Sequence, residues 1–159
     1  MTFATLTPPP SLSPSTLPVS AMGIILFAHG SRDALWRAPI EAVAATIRER
    51  RQGTLVSCAY LELCEPTLPD AASAFVAAGC SHLRIFPLFL GVGKHAREDL
   101  PLLVAEIRAN HLNVSVELMA TAGQSPALIS LMADLALAQE TGPRNSAHPS
   151  PKRLKTKKT

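Results

Sequence analysis

Four short apolar runs, each followed by a segment of helical periodicity, limit this chain to very few architectures. The runs are residues 23–28, 55–63, 82–90 and 113–119. The first, residues 23–28, is continuously apolar, as suits a strand buried on both faces. After the first, Ile40, Val43, Ala44 and Ile47 share one helical face, opened by Pro39 and ending near Gly53. Thr67-x-x-Asp70 forms a capping box ahead of Leu68, Ala71, Ala72, Phe75 and Val76, with Gly79 as the stop. A third helix is expected from about Asp99, with Leu100, Leu103, Val104 and Ile107 inward. The last takes Ser125 as N-cap and Pro126 at its first position, with Leu128, Leu131, Met132 and Leu135 inward.

Four βα units in succession make an α/β domain: a parallel sheet with helices on both faces, a flavodoxin-like three-layer arrangement. Right-handed crossovers favour the strand order 2-1-3-4 at this size. Pro87 cannot donate to a ladder, so regular pairing of the third strand is expected to stop near Phe86, leaving 87–93 as a shaped loop.

The domain is read as residues 22–141, between two segments of different composition. Residues 1–21 hold five prolines and no Lys or Arg, which fits a disordered segment and not a signal peptide. Met22, just before the first strand, is an alternative start. Residues 142–159 carry six Lys/Arg and no acid, whereas 22–141 carry a net charge of −3. The pI near 9.0 therefore belongs to a basic, disordered tail, and a nucleic-acid-binding fold is not implied. Cys58, Cys64 and Cys80 form neither a C-x-x-C pair nor an even framework, as in a reducing, cytoplasmic setting. No apolar run reaches the roughly 20 residues of a membrane helix.

Two strands end in histidine with glycine close by: Phe27-Ala-His-Gly-Ser-Arg32, and Phe86-Pro-Leu-Phe-Leu-Gly-Val-Gly-Lys-His95. The order 2-1-3-4 makes these strands neighbours and sets His29 and His95 at the edge where such folds bind ligands. Neutral imidazole ligates Co, Ni, Fe or Zn and takes up protons near neutral pH. Neither histidine has a third His or Cys beside it, so a closed structural zinc site is not indicated. Glu65, past the second strand, can serve the same edge as base or ligand. Arg32, Lys94 and Arg97 add positive charge that favours an anionic substrate. His82, at a strand start, and His111, near a helix C-terminus, read as structural. Trp36 is expected to pack a loop or a dimer contact.

The segments His29-Gly-Ser-Arg32, Tyr60-Leu-Glu-Leu-Cys-Glu-Pro-Thr-Leu-Pro-Asp70 and Pro87-Leu-Phe-Leu-Gly-Val-Gly-Lys-His-Ala-Arg-Glu-Asp-Leu-Pro101 together resemble the sirohydrochlorin chelatases of the CbiX type, in order, over about residues 22–138. The resemblance implies insertion of a divalent metal, Co²⁺ foremost with Fe²⁺ or Ni²⁺ as alternatives, into sirohydrochlorin for cobalamin or sirohaem synthesis. It implies metal and proton transfer at His29 and His95. Substrate contacts are implied at Glu65 and through Leu90, Gly91, Val92, Gly93, Lys94 and His95. No tightly bound cofactor is implied, since the metal is a substrate. The small, single-half form implies a homodimer. Ala28 stands where relatives often have glycine before the His-Gly-Ser-Arg motif.

The residues suit that chemistry. Metallation exchanges two pyrrole N–H protons for M²⁺ and needs a base beside a ligand that releases its metal. Eight substrate carboxylates can meet Arg32, Lys94, Arg97 and exposed backbone N–H groups, while Gly91 and Gly93 let backbone approach a flat ring. A metal or tetrapyrrole carrier without turnover would use the same pocket. A nucleotide-binding domain is disfavoured, because neither G-x-G-x-x-G nor a Walker lysine motif occurs.

Overall fold

The computed structural model describes residues 21–138 of the chain, so the expectations for residues 1–20 and 142–159 lie outside the described residues. The chain divides into two compact units between Gln124 and Ser125.

In the first unit, β1 (Ala21–Ala28), β2 (Leu55–Tyr60), β3 (Cys80–Pro87) and β4 (Ser115–Leu118) alternate with α1 (Ala38–Arg50), α2 (Leu68–Ala77) and α3 (Lys94–Asn110). All strand pairs are parallel, in the order β2-β1-β3-β4. Successive residues of β1 face opposite ways, and both faces are covered. Ile25 and Phe27 join Leu68, Ala72, Leu83, Ile85, Val104 and Ile107 in one core with α2 and α3. Leu26 joins Ala44 and Val56 in a second core under α1. Gly23 marks a close approach of α2 to β1, since a Cβ there would lie 2.4 Å from the Phe75 ring. Two arginines tie helices to the following strands in the same way. Arg48 of α1 donates to the Val56 carbonyl and Arg108 of α3 to that of Val116, each at 2.7 Å.

Local signals account for several boundaries. Thr67 caps α2, its hydroxyl accepting from the Asp70 N–H. Gly79, at φ +86, supplies the left-handed turn into β3. His82 lies 3.6 Å from Glu117, which also pairs with Arg84 at 2.7 Å. His111 caps the end of α3, its ring 3.3 Å from the Ser73 hydroxyl.

Other boundaries depart from expectation. Pairing of β3 runs on through Pro87, opposite Phe27, and Leu88 then donates to the Phe27 carbonyl at 2.7 Å. In a parallel sheet alternate N–H groups serve opposite neighbours. The N–H that Pro87 lacks belongs to the β4 side, where β4 has already ended at Leu118. Helix α3 begins at Lys94, not Asp99. A start at Asp99 would place Pro101 in the first turn, where proline is tolerated; instead Pro101 lies inside the helix. Strand β2 ends at Tyr60 and not at residue 63, and β4 spans only Ser115–Leu118.

The second unit is described by α4 (Pro126–Ala138), which Ser125 caps by accepting from the Leu128 N–H at 3.4 Å. None of its residues is buried, and Leu131 and Leu135 are 53% and 61% exposed. The inward set expected from its periodicity is therefore not buried. With Asp134 as its one charge, α4 is apolar nearly all round, so spacing could not single out a face.

Candidate active site

The candidate site is built on the carboxyl ends of β1 and β3. His29 follows β1 directly, and its backbone is fixed by the segment just past β2: the Leu61 and Glu62 N–H groups both donate to the His29 carbonyl, at 3.1 and 2.9 Å. Gly30, at φ +104, makes this close crossing possible, because a Cβ there would lie 1.8 Å from the Glu62 carbonyl oxygen. The His29 ring is exposed and rests on Phe89, with centroids 4.4 Å apart and planes tilted by 40°. Phe89 is 1% exposed and meets Phe27 edge-on, so a rigid aromatic pair supports the imidazole from below. Among the described residues, nothing hydrogen-bonds to its ring nitrogens.

Beyond Phe89 the chain opens outward. Leu90 is 64% exposed, Gly91 and Gly93 are exposed, and a Cβ at either glycine would meet nothing within 4 Å. Neither glycine is demanded by the packing or by a left-handed backbone, and the space in front of both is free. Gly93 is the N-cap of α3, with no side-chain cap and no acid in the first turn. Lys94, His95 and Arg97 are therefore helical residues at an uncapped, electropositive N-terminus. His95 holds the second position of α3; its side chain lies outside the described residues. Lys94 approaches Glu98 at 4.0 Å, an exposed pair of little energetic consequence. Arg32 and Arg97 are exposed and form no ion pair among the described residues.

A cavity of about 400 Å³ separates this segment from the turn after β4, with Leu90, Val92 and Arg97 on one wall and Met119, Ala120, Thr121 and Gln124 on the other. Gly123 joins the walls: its N–H donates to the Phe89 carbonyl at 2.8 Å, and a Cβ there would lie 1.8 Å from the Leu90 oxygen.

Glu65 lies in the segment just past β2. It lines a second cavity, of about 370 Å³, with Arg37, Glu41, Arg48, Cys58 and Tyr60. Among the described residues, the two cavities share none. One Glu65 carboxylate oxygen already accepts the Thr67 N–H at 3.0 Å, leaving the other for further work. Burial is the main cause that raises the Cys58 thiol above its ordinary range. Burial, then the Cys58 and Glu41 charges, pushes the Tyr60 phenol up from 10.0 to about 12. Trp36 lies over Tyr60, with ring centroids 6.4 Å apart. Because Tyr60 is the chain's one tyrosine, its ionisation can be read directly by tyrosinate absorbance. We expect a midpoint near 12 in the folded protein. The folded state favours the neutral phenol, so the stability this confers is complete below pH 10 and lost as pH rises through 12. A midpoint near 10 without unfolding would contradict the burial assigned to Tyr60.

Comparison with known proteins now decides the family. The CbiX family model matches residues 23–138, almost the whole described chain. The chain belongs to the CbiX family. Among CbiX relatives, the chloroplastic sirohydrochlorin ferrochelatase of Arabidopsis thaliana is 31% identical over 72% of this chain and 51% of its own length. A sirohydrochlorin cobaltochelatase of Methanocaldococcus jannaschii is 31% identical over 55% of this chain and 62% of its own. The chain thus spans a little over half the length of these curated relatives. A crystal structure of a CbiX protein from Marinobacter aquaeolei VT8 matches with TM-score 0.66 and 32% identity, covering 75% of this chain and 97% of that one. The cobalt complex of the chelatase SirB from Bacillus subtilis subspecies spizizenii shares the fold at TM-score 0.60 and 24% identity, with 73% and 51% covered.

Within this CbiX chain the structure brings His29 together with the Leu90–Gly93 segment through Phe89, and sets Glu65 in a different cavity. Sequence reasoning missed the wall formed by residues 119–124. The available signal was Gly123, a glycine within the short link between β4 and the Ser125 cap, where no helix or strand pattern accounts for it.

Proposed function

We propose that this protein is a sirohydrochlorin chelatase, an enzyme that inserts a divalent metal into the macrocycle and releases two protons. The observation that carries this reading is His29: an exposed imidazole without a hydrogen-bond partner among the described residues, braced on Phe89 beside a backbone segment with open space in front of it. Relatives named as cobalto- and ferrochelatases support the same reaction class. His29 acts as the main base and metal ligand, taking a pyrrole proton and holding the incoming cation in turn. His95 shares the metal. The free oxygen of Glu65 assists proton removal or holds the macrocycle. Leu90, Gly91, Val92, Gly93 and Lys94 line the ring, and Arg32 and Arg97 meet its carboxylates. Co²⁺ is the first candidate metal and Fe²⁺ and Ni²⁺ the others, since imidazole and carboxylate accept all three. The setting is cytoplasmic, in keeping with three cysteines that form neither a C-x-x-C pair nor an even-numbered framework.

The test is optical. Sirohydrochlorin and each metal are mixed anaerobically with the protein, and the macrocycle absorption is followed. Insertion faster than in the protein-free control supports the chelatase and ranks the metals. Binding without acceleration leaves a carrier.

The protein acts as a homodimer. Helix α4 presents an apolar surface, with Ile129, Leu131, Leu135 and Leu137 at 51–61% exposure. Light scattering on the purified chain should give twice the 16.9 kDa chain mass. A monomer at micromolar concentration would contradict this.

A further inference from the structure

We infer that the 400 Å³ cavity between Leu90–Arg97 and the turn after β4 holds one acid-bearing edge of the macrocycle, with Arg97 and Thr121 gripping its carboxylates. This rests on the reading of the protein as a sirohydrochlorin-binding enzyme and adds to it residues from the far wall. The volume lies in the roughly 300–1,000 Å³ range of small-molecule sites, enough for one ring edge with its arms but not for a whole tetrapyrrole.

Three features point to a carboxylate. Among the described residues, the lining holds one cation, Arg97, and no acid. Arg97 forms no ion pair among the described residues, so its guanidinium is available for a bidentate partner. Thr121 lines the same space, and its Oγ1 is buried with no hydrogen-bond partner among the described residues. An unsatisfied buried hydroxyl costs on the order of 1–3 kcal/mol. A carboxylate oxygen at that end of the cavity supplies the missing acceptor, with the hydroxyl donating. The floor, formed by Leu100, Pro101 and Leu118, suits the flat apolar edge of the ring.

The cavity also sets register. Gly123 clamps its far wall to the Phe89 carbonyl, and the Phe89 ring carries His29. An edge seated here is therefore held at a fixed offset from the imidazole, which makes Arg97 and Thr121 binding residues that choose acid-bearing rings over uncharged ones.

The experiment titrates the full chain with metal-free sirohydrochlorin, and separately with its uncharged octamethyl ester, following the macrocycle's fluorescence. Arg97→Gln should weaken binding of the acid about tenfold and leave the ester unchanged. Thr121→Val should weaken the acid roughly threefold while raising the melting temperature, because it removes an orphaned hydroxyl. Ala120→Phe, at an exposed residue on the cavity wall, should block both ligands by filling the space. Wild-type affinity in Arg97→Gln and Ala120→Phe, or equal losses for acid and ester in Arg97→Gln, would overturn the inference while wild-type insertion activity still upheld the chelatase. Failure of the wild type to bind sirohydrochlorin at all would overturn both.

Discussion

Replacing His29 with alanine is expected to abolish metal insertion while leaving the protein folded. The ring is exposed and makes one packing contact, the tilted stack on Phe89, so its removal should cost about 1 kcal/mol or less of stability. The backbone that positions residue 29 is held from outside the side chain, by the Leu61 and Glu62 N–H groups and by the Gly30 turn, and is untouched by the substitution. The chemical loss should be far larger. A positioned base contributes roughly 10²–10⁴-fold to proton transfer, and the same substitution also deletes a metal ligand. His29→Gln sharpens the test, since an amide keeps polarity and approximate size but takes no proton near neutral pH. Both variants should melt within a few degrees of the wild type and insert metal at close to the protein-free rate. A folded His29→Ala protein with wild-type turnover would remove His29 from the chemistry.

Gly30→Ala should damage both stability and activity. At φ +104 a side chain is strained, and the added Cβ would fall 1.8 Å from the Glu62 carbonyl oxygen. That oxygen belongs to backbone, and the same residue's N–H is bonded to the His29 carbonyl. The crossing cannot open without releasing His29 or displacing the loop that leads to Glu65. A cost of about 2–4 kcal/mol is expected, with a melting temperature lower by something on the order of 10 °C. Gly53→Ala is the natural control. It shares a positive φ of +81, but its Cβ would meet nothing within 4 Å, so it carries only the conformational cost of about 1 kcal/mol. Calorimetry of the two variants side by side separates strain from collision. Equal destabilisation would show that the close crossing does not matter.

The α/β class and the capping of α2 were legible because each has a local cause, and the strand order because right-handed crossovers leave few choices. The continuous apolar run at 23–28, and Thr67 three residues before Asp70, act within a few residues of themselves. Helix α3 was misjudged at its start because the usual cue is absent. Gly93 provides no side-chain cap, and the proline that signals a first turn lies seven residues in. The exposed face of α4 was illegible for another reason: a segment apolar on every side has no phase to read. At the candidate site, motifs in the sequence point to His29 and Leu90–Gly93, and charge points to Arg97. Their opposite wall could not, since residues 119–124 reach the cavity only through the parallel pairing of β4 with β3 and the Gly123 contact with Leu90. Glu65 shows the converse. It is near the other site residues in the order of strand ends, yet the return of Pro66 to bond with Tyr60 turns it toward the α1 side, beside Cys58 and Glu41.

The most direct measurement of the central claim is a count of turnovers. Sirohydrochlorin in twentyfold excess over protein is incubated anaerobically with Co²⁺, and the metallated product is quantified against a protein-free control. A chelatase whose His29 both takes the proton and releases the metal should form many equivalents of product per chain, faster than the control. Product that stops at one equivalent per chain or fewer, or that forms at the control rate, would contradict the account and describe a binding protein instead.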